Sequence, residues 1–355
     1  MKILITGICG FVGSALAEEL KRQMEGVEIL GIDNLSRPGS EQNRQAMLRQ
    51  GIRFRHGDLR NPSDLENLPA ADWVIDAAAN PSVLAGVAGE TSSRQLMEHN
   101  LVSTIHLMEY CKRHGAGAVL LSTSRVYSVQ RLAALPLAVN DGAFTPRFDE
   151  AAEPGLSTHG VSEGFSTQPP VSLYGAAKLA SETVALEYGL AFGLPAHVNR
   201  CGLLAGAGQF GKPDQGILTF WIHSYRRKRP LRYIGFGGQG HQVRDCLHPH
   251  DLAALVARQM RNPRRTGEVF NTGGGPANAF SLAQLSRWCA ARFGGHDVTS
   301  DHAPGPYNVP WLVLDSRRPQ TEWDWRPAIR VETIFEEIAA HAEQHPEWLD
   351  LSCST

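Results

Sequence analysis

No run in this chain approaches the roughly 18 uninterrupted apolar residues that a membrane-crossing helix requires, and no basic leader precedes the first apolar segment. Export and membrane spanning are therefore not expected, and the cytoplasm is the expected compartment. Cysteine is sparse. Cys9, Cys111, Cys201, Cys246, Cys289 and Cys353 show neither a Cys-x-x-Cys pair nor a ladder of spacings, which argues against a disulfide framework. Most lie in apolar segments, as small buried hydrophobes of a reducing compartment do. Charge of one sign is also lacking: 34 Lys and Arg against 36 Asp and Glu leave a formal net charge of -2. That balance excludes an obvious nucleic-acid partner. The short basic cluster Arg226, Arg227, Lys228 and Arg229 is followed at once by Pro230 and reads as a solvated helix end. No internal repeat is visible.

What is present suits a globular chain. Its 355 residues, 42% hydrophobic and 20% charged, are enough for two packed domains. Short apolar runs at 2–6, 27–33, 54–57, 73–77 and 118–122 alternate with amphipathic stretches at 11–22, 41–49 and 93–114. Such alternation predicts an α/β fold, a doubly wound parallel sheet with helices on both faces. Between 128 and 172 the periodicity is lost among Pro136, Pro146, Pro154, Pro169 and Pro170, and a long lid or binding loop is expected. A helix at 173–192 and a strand at 196–200 come next. Beyond them, strands at 231–234, 243–247 and 268–271 mix with helices at 281–293 and 331–345. We expect residues 1–198 to form a dinucleotide-binding domain, with strands returning to it from about 240–275. Residues 199–355 are expected to form a smaller, interleaved mixed α/β substrate domain.

Gly7, Gly10 and Gly13 recur at three-residue spacing where the first strand gives way to Phe11, Val12 and the first helix. Glycine there allows close approach of a pyrophosphate to a helix N-terminus, whose free N–H groups attract anions. Asp33, about 20 residues on at the end of the next strand, is placed to accept the adenosine ribose hydroxyls and to repel the extra phosphate of NADP. NAD is the expected cofactor, with Arg37 nearby as a softening influence. Asp58 and Leu59, after the third strand, are placed to meet the adenine. Tyr174 and Lys178 stand four apart at the start of a helix and so share a face. A neighbouring ammonium would make the phenol a usable base. Thr123, at the carboxyl end of the fifth strand, lies where open parallel sheets place ligands.

These pieces together resemble the extended short-chain dehydrogenase/reductase superfamily, in its NAD-dependent nucleotide-sugar epimerase/dehydratase branch. The resemblance spans nearly the whole chain and rests on residues 6–13, 33–37, 57–59, 122–127, 174–178 and 242–245, with His248 and Asp251. It implies that Tyr174, Lys178 and Thr123 carry hydride-transfer chemistry on a nucleotide-diphosphate sugar while NAD stays bound. It also implies that Asn34, Ala77, Ala79, Asn100 and Ser122 join the residues above in holding the cofactor. Substrate contacts are expected from Thr123, Arg125, Arg200, Gln215 and Arg244, Arg244 meeting the diphosphate. A homodimer built on the helices at 93–114 and 173–192 is typical of the group.

Sub-classes differ in the residues directly after Thr123. Here Ser124 and Arg125 replace the Asp-Glu pair typical of the 4,6-dehydratases, the Glu of the nucleotide-sugar decarboxylases, and the Cys of one class of 3,5-epimerases. Epimerisation without net redox remains, and the sequence most resembles the CDP-paratose (tyvelose) 2-epimerases. A UDP-sugar 4-epimerase is the nearest alternative, followed by a dehydratase or decarboxylase and by a non-catalytic NAD-binding sensor. Leu203 and Ala205 depart from the polar and aromatic residues usual there, so contacts to the sugar or diphosphate are expected to differ. No metal site is expected from His241, His248 and His250, which read as loop and supporting histidines. Tyr233 is a weak candidate for contact with the nucleotide base, and Trp311, Trp323 and Trp325 read as packing residues.

Overall fold

In the computed structural model, residues 1–87, 92–213, 215–263, 267–303 and 305–353 are described, Cys353 by its backbone alone. Seven all-parallel strands form the central sheet: β1 (Lys2–Thr6), β2 (Glu28–Asp33), β3 (Arg53–His56), β4 (Trp73–Asp76), β5 (Gly117–Thr123), β6 (Ala196–Cys201) and β7 (Glu268–Thr272). Their order is β7-β6-β5-β4-β1-β2-β3. The order reverses beside β1, which opens a crevice at the carboxyl ends of β1 and β4, where Rossmann sheets take their ligands. β1, β4 and β6 are almost wholly buried, as strands covered by helices on both faces must be. One apolar cluster, with Leu16, Leu20, Val256 and Met260, covers one face. Another, with Leu107, Met108, Ala185 and Leu194, covers the other.

Four helices matter for the site: α1 (Phe11–Gln23), α2 (Ser103–His114), α3 (Ser172–Phe192) and α4 (Pro249–Arg261). The helix expected over 93–114 is present but not uniform. Ser93–Met97 is α-helical, Glu98–Val102 is a π turn, and α2 comes after it. The π turn carries Asn100 into the interior, a local widening often found at functional sites.

Two expectations are corrected. Of the strands expected to return to the first sheet, Glu268–Thr272 does so beside β6. Val243–Leu247 instead joins a separate small sheet with Leu203–Leu204, Ala279–Ser281 and Trp311–Leu312. Both runs are apolar enough for either place, and pairing partners far away in sequence decide between them. The segment from 128 to 172 is not irregular throughout. It holds a short helix (Val129–Ala133) and two hairpins, Leu137–Asn140 with Ala143–Pro146 and Leu156–Ser157 with Gly160–Val161. Val161 exchanges backbone hydrogen bonds with Val313 and Asp315, which anchors the segment to the C-terminal half. Among the described residues, no helix is long and apolar enough to cross a membrane.

Candidate active site

The glycine turn comes first. Gly7 has φ +60°, a left-handed backbone, and a methyl group on it would sit 2.8 Å from Ala78 Cα. A methyl on Gly13 would sit 2.2 Å from the Gly7 carbonyl oxygen, so α1 packs on the turn with no room for a side chain. Gly10 differs: a methyl there would meet only the Gly7 oxygen, at 3.1 Å, and otherwise open space. No side chain caps α1, so its first N–H groups face that space, which suits an anionic ligand.

Asp33 closes the turn from the next strand. One carboxylate oxygen accepts the Cys9 N–H at 3.0 Å and the other accepts the Leu35 N–H at 2.8 Å. Burial raises its pKa, and these backbone donors oppose the shift. Leu35 is held at φ 55° in this loop. Asp58 accepts Asn34 Nδ2 at 3.1 Å and three hydrogen bonds from Arg60, two from its guanidinium and one from its N–H, and its carboxyl is held well below the usual range, chiefly by that guanidinium. Arg37 reaches Gln215 Oε1, and its guanidinium lies over the Phe210 ring. Gln215, expected among the substrate contacts, is thus held beside the loop that follows Asp33. Its amide oxygen is an acceptor, and the guanidinium fork is rich in donors.

Beyond β4, Thr6 Oγ1 donates to Asp76 at 2.7 Å and accepts the N–H groups of Ala77 and Ala78 at 3.1 Å. Asn100, from the π turn, clasps Asn80 by two hydrogen bonds of 2.8 and 3.0 Å. The segment holding Ala77 and Ala79 is thereby fixed against the crevice.

Thr123 lies beside Tyr174, near enough for its hydroxyl to pull the phenol's pKa down. Tyr174 is 7% exposed and Lys178 2%. α3 is entered through Ser172 at φ 74°, a strained position for a residue with a side chain, and Ser172 Oγ accepts the Gly175 N–H at 3.1 Å. Burial pushes the Tyr174 phenol up to about 12, while Thr123 and the charge of Arg125 pull it down. Lys178, one helical turn on, is buried, and its charge lowers the pKa values of Asp76 and Cys201 against the burial that raises them.

Arg125 and Arg244 reach the same segment, at the Tyr307 and Val309 carbonyls, and burial, aided by the charge of Arg125, pushes the Arg244 guanidinium well down. Arg200 does not join them, a correction to its expected role. It is 6% exposed, gives hydrogen bonds of 2.7–3.1 Å to Glu182, and reaches the Tyr127 hydroxyl at 3.3 Å. A buried cation must be paired, and Glu182 answers it behind the sheet. Ser122 Oγ donates to the same carboxylate.

Two residues went unread in the sequence. Asp76 is an acid ending an otherwise apolar strand, and Glu182 continues the four-residue spacing of Tyr174 and Lys178; both signals were available. Tyr233 stacks on Trp221 and donates to Ser286 at 2.7 Å, which places it in the core rather than at a ligand. His248 caps α4 and meets Glu337 at 3.0 Å. Among the described residues, no cluster of three or more His, Cys, Asp or Glu is arranged to hold a metal. A cavity of about 350 Å³ lies elsewhere, lined by Glu163, Asp315, Arg317 and Arg318. Asp315 pairs with Arg317, and Glu268 and Glu322 pair with Arg318, so we assign the chemistry to the crevice.

Residues 3–273 match the NAD dependent epimerase/dehydratase family. A CDP-paratose 2-epimerase of Salmonella typhi is 31% identical over 304 residues, covering 80% of this chain and 82% of that protein. A UDP-glucuronate 4-epimerase of Thermodesulfobacterium geofontis is 26% identical over 291 residues, covering 79% and 77%. In fold, the chain is similar to a dTDP-glucose 4,6-dehydratase double mutant from Streptomyces venezuelae with NAD and DAU bound. That likeness has a TM-score of 0.81 at 22% identity and covers 99% of this chain and 100% of the other. The chain therefore belongs to the NAD dependent epimerase/dehydratase family, and NAD is its cofactor.

Proposed function

We propose that this enzyme epimerises a nucleotide-diphosphate sugar, with NAD held through the cycle, and that its substrate is of the CDP-paratose type. The observation that carries the reading is Arg125, whose backbone packs between Thr123 Oγ1, at 3.2 Å, and Gly175 of the first turn of α3, where water elimination would call for a carboxylate. Water elimination needs an acid and a base beside the reacting carbons, and a guanidinium supplies neither because it does not titrate near neutrality. The Salmonella typhi relative named above supports the choice of sugar class.

In this reading Gly7, Gly10 and Gly13, with the start of α1, hold the pyrophosphate. Asp33 faces the adenosine ribose, Asp58 and Leu59 the adenine, and Lys178 and Ser122 the nicotinamide end. When bound there, NAD would supply the hydride acceptor and donor that a redox-neutral epimerisation through a keto sugar needs. Thr123 orients the sugar oxygen and Tyr174 takes its proton, then gives it back after the sugar has turned over. Arg244 meets the diphosphate, and Arg125 lies on the sugar side.

The test is a panel of CDP-, UDP-, dTDP- and GDP-sugars followed by NMR of ring couplings. Conversion without change of mass is expected, and Tyr174→Phe should lose about 100-fold or more in turnover while keeping its NAD. A product lighter by water or carbon dioxide overturns the reading in favour of a lyase.

We also infer a homodimer through α2 and α3. Leu190 is 61% exposed, Phe192 46% and Ile105 36%, apolar side chains on these two helices that a second copy would cover.

A further inference from the structure

Residues 209–212 lie against the loop that follows Asp33, and one arginine joins the two. Arg37 donates to Gln215 Oε1 and, at 3.4 Å, to the Phe210 carbonyl, and its guanidinium carbon stands 5.7 Å from the centre of the Phe210 ring. The same ring abuts Gly39, at φ +89°, so closely that a methyl there would sit 2.9 Å from Phe210 Cε1. A few residues earlier, a methyl on Gly206 would sit 3.5 Å from the ring of Phe11, the first residue of α1. The stretch thus runs from the glycine turn to the loop of Asp33, along the two places assigned above to the pyrophosphate and the adenosine ribose.

Phe210 is itself held from behind. Its ring stacks on Trp348, with centroids 5.5 Å apart and planes 11° from parallel, and both rings are buried. Trp348 Nε1 donates to the Gln209 carbonyl at 2.8 Å, and Ser352 Oγ donates to the Gly211 carbonyl at 3.1 Å. The backbone on either side of Phe210 is therefore bound by one short helix, Trp348–Cys353. Asp350 pins that helix in turn, accepting hydrogen bonds from Arg227 and Arg229 just past the helix Ile217–Arg226. An arginine side chain has about 2 kcal/mol of rotamer entropy to lose when it is ordered. A fixed aromatic ring and a carbonyl acceptor offset that loss. Fixing Phe210 thus fixes Arg37, and Arg37 fixes the loop after Asp33.

We propose that Trp348 is a positioning residue for the cofactor: through Phe210 it holds Arg37 across the adenosine end of the crevice, and so sets how long NAD stays bound. The inference rests on the placement of the adenosine ribose at Asp33. It gives Arg37 a purpose other than its charge, as the clasp between two loops that come from opposite halves of the chain.

The test needs no sugar. Enzyme loaded with isotope-labelled NAD is chased with unlabelled NAD, and the label still bound is followed in time. Trp348→Ala should speed the loss of label about tenfold, the worth of one well-placed cation–π contact, and Arg37→Met should do the same. The variant carrying both changes should exchange no faster than either alone, because both act through one contact. Trp348→Phe, which keeps a ring for Phe210 to stack on, should restore most of the wild-type rate. Should Trp348→Ala fail to fold, Trp348→Leu, which fills more of the space, reads the same comparison. An unchanged rate in the non-aromatic variant, or two effects that multiply in the double variant, overturns the inference. Gly10→Ala in the same chase separates the failures: if it keeps its label, the placement of NAD falls and this inference with it. An enzyme that inverts no sugar but exchanges NAD in a Trp348-dependent way would sink the proposed reaction and leave this assignment standing.

Discussion

Arg200 of β6 and Glu182 of α3 form a buried ion pair, Nη2 to Oε2 at 2.7 Å, with side chains 8% and 3% exposed. It ties the helix carrying Tyr174 to the strand behind the site, and Ser122 and Tyr127 complete its hydrogen bonds. Removing one partner leaves a charge stranded in the interior. Glu182→Ala or Arg200→Ala should each cost about 3–5 kcal/mol, measured by urea unfolding. A loss below about 1 kcal/mol would mean that water reaches the pair.

The three glycines of the turn should separate folding from binding. At Gly10 the added methyl points into open space where we place the pyrophosphate, so Gly10→Ala should fold normally and lose its NAD. At Gly13 the methyl meets backbone at 2.2 Å, and Gly13→Ala should cost about 1–3 kcal/mol of stability as well. Thermal unfolding together with the absorbance of released nucleotide reads both. A Gly10→Ala protein that retains NAD would move the ligand off this turn.

His223 should make the fold acid-sensitive. Burial, aided by the His341 ring, pushes its imidazole down to about 3, and its Nε2 has no hydrogen-bond partner. The unfolded chain binds that proton near pH 6.5, about the ordinary value, while the fold refuses it. The contribution is therefore complete above about pH 6.5 and declines as pH falls toward the folded value. Between neutrality and pH 5, His223→Phe should remove about 2 kcal/mol of the wild-type loss. Urea titrations at the two pH values check this, and equal losses in both proteins would show that another group governs acid sensitivity.

If α2 and α3 pack against a second copy, a charge at the most exposed of their apolar positions should break the assembly. Leu190→Asp should sediment at half the wild-type mass, with little change in thermal stability at the monomer level. An unchanged mass places the interface elsewhere.

Much of the fold was legible because burial on both sheet faces leaves a plain signature. Runs such as Ile3-Leu4-Ile5 and Trp73-Val74-Ile75 can serve as little else, and the spacing of Gly7, Gly10 and Gly13 marks the turn between strand and helix. The partner of a given strand was not legible. Residues 243–247 and 268–271 read alike, yet one joins the small sheet and the other the large one. The hairpins within 128–172 have strands of two to four residues, too short for periodicity, and depend on contacts with residues near 313. At the site, residue types announced Thr123, Tyr174 and Lys178, but not where their charges point. Arg200 stands at a strand end as a ligand-binding cation would, and only the fold brings Glu182 to it.

The seventh strand of the central sheet comes from residues 268–272, after two of the four strands of the small sheet have been threaded. During synthesis, the nucleotide-holding half stands with an open edge until about three quarters of the polypeptide has left the ribosome. A gene cut near residue 198 would thus yield a sticky fragment rather than a free-standing cofactor module. The two halves have to be inherited, expressed and degraded as one.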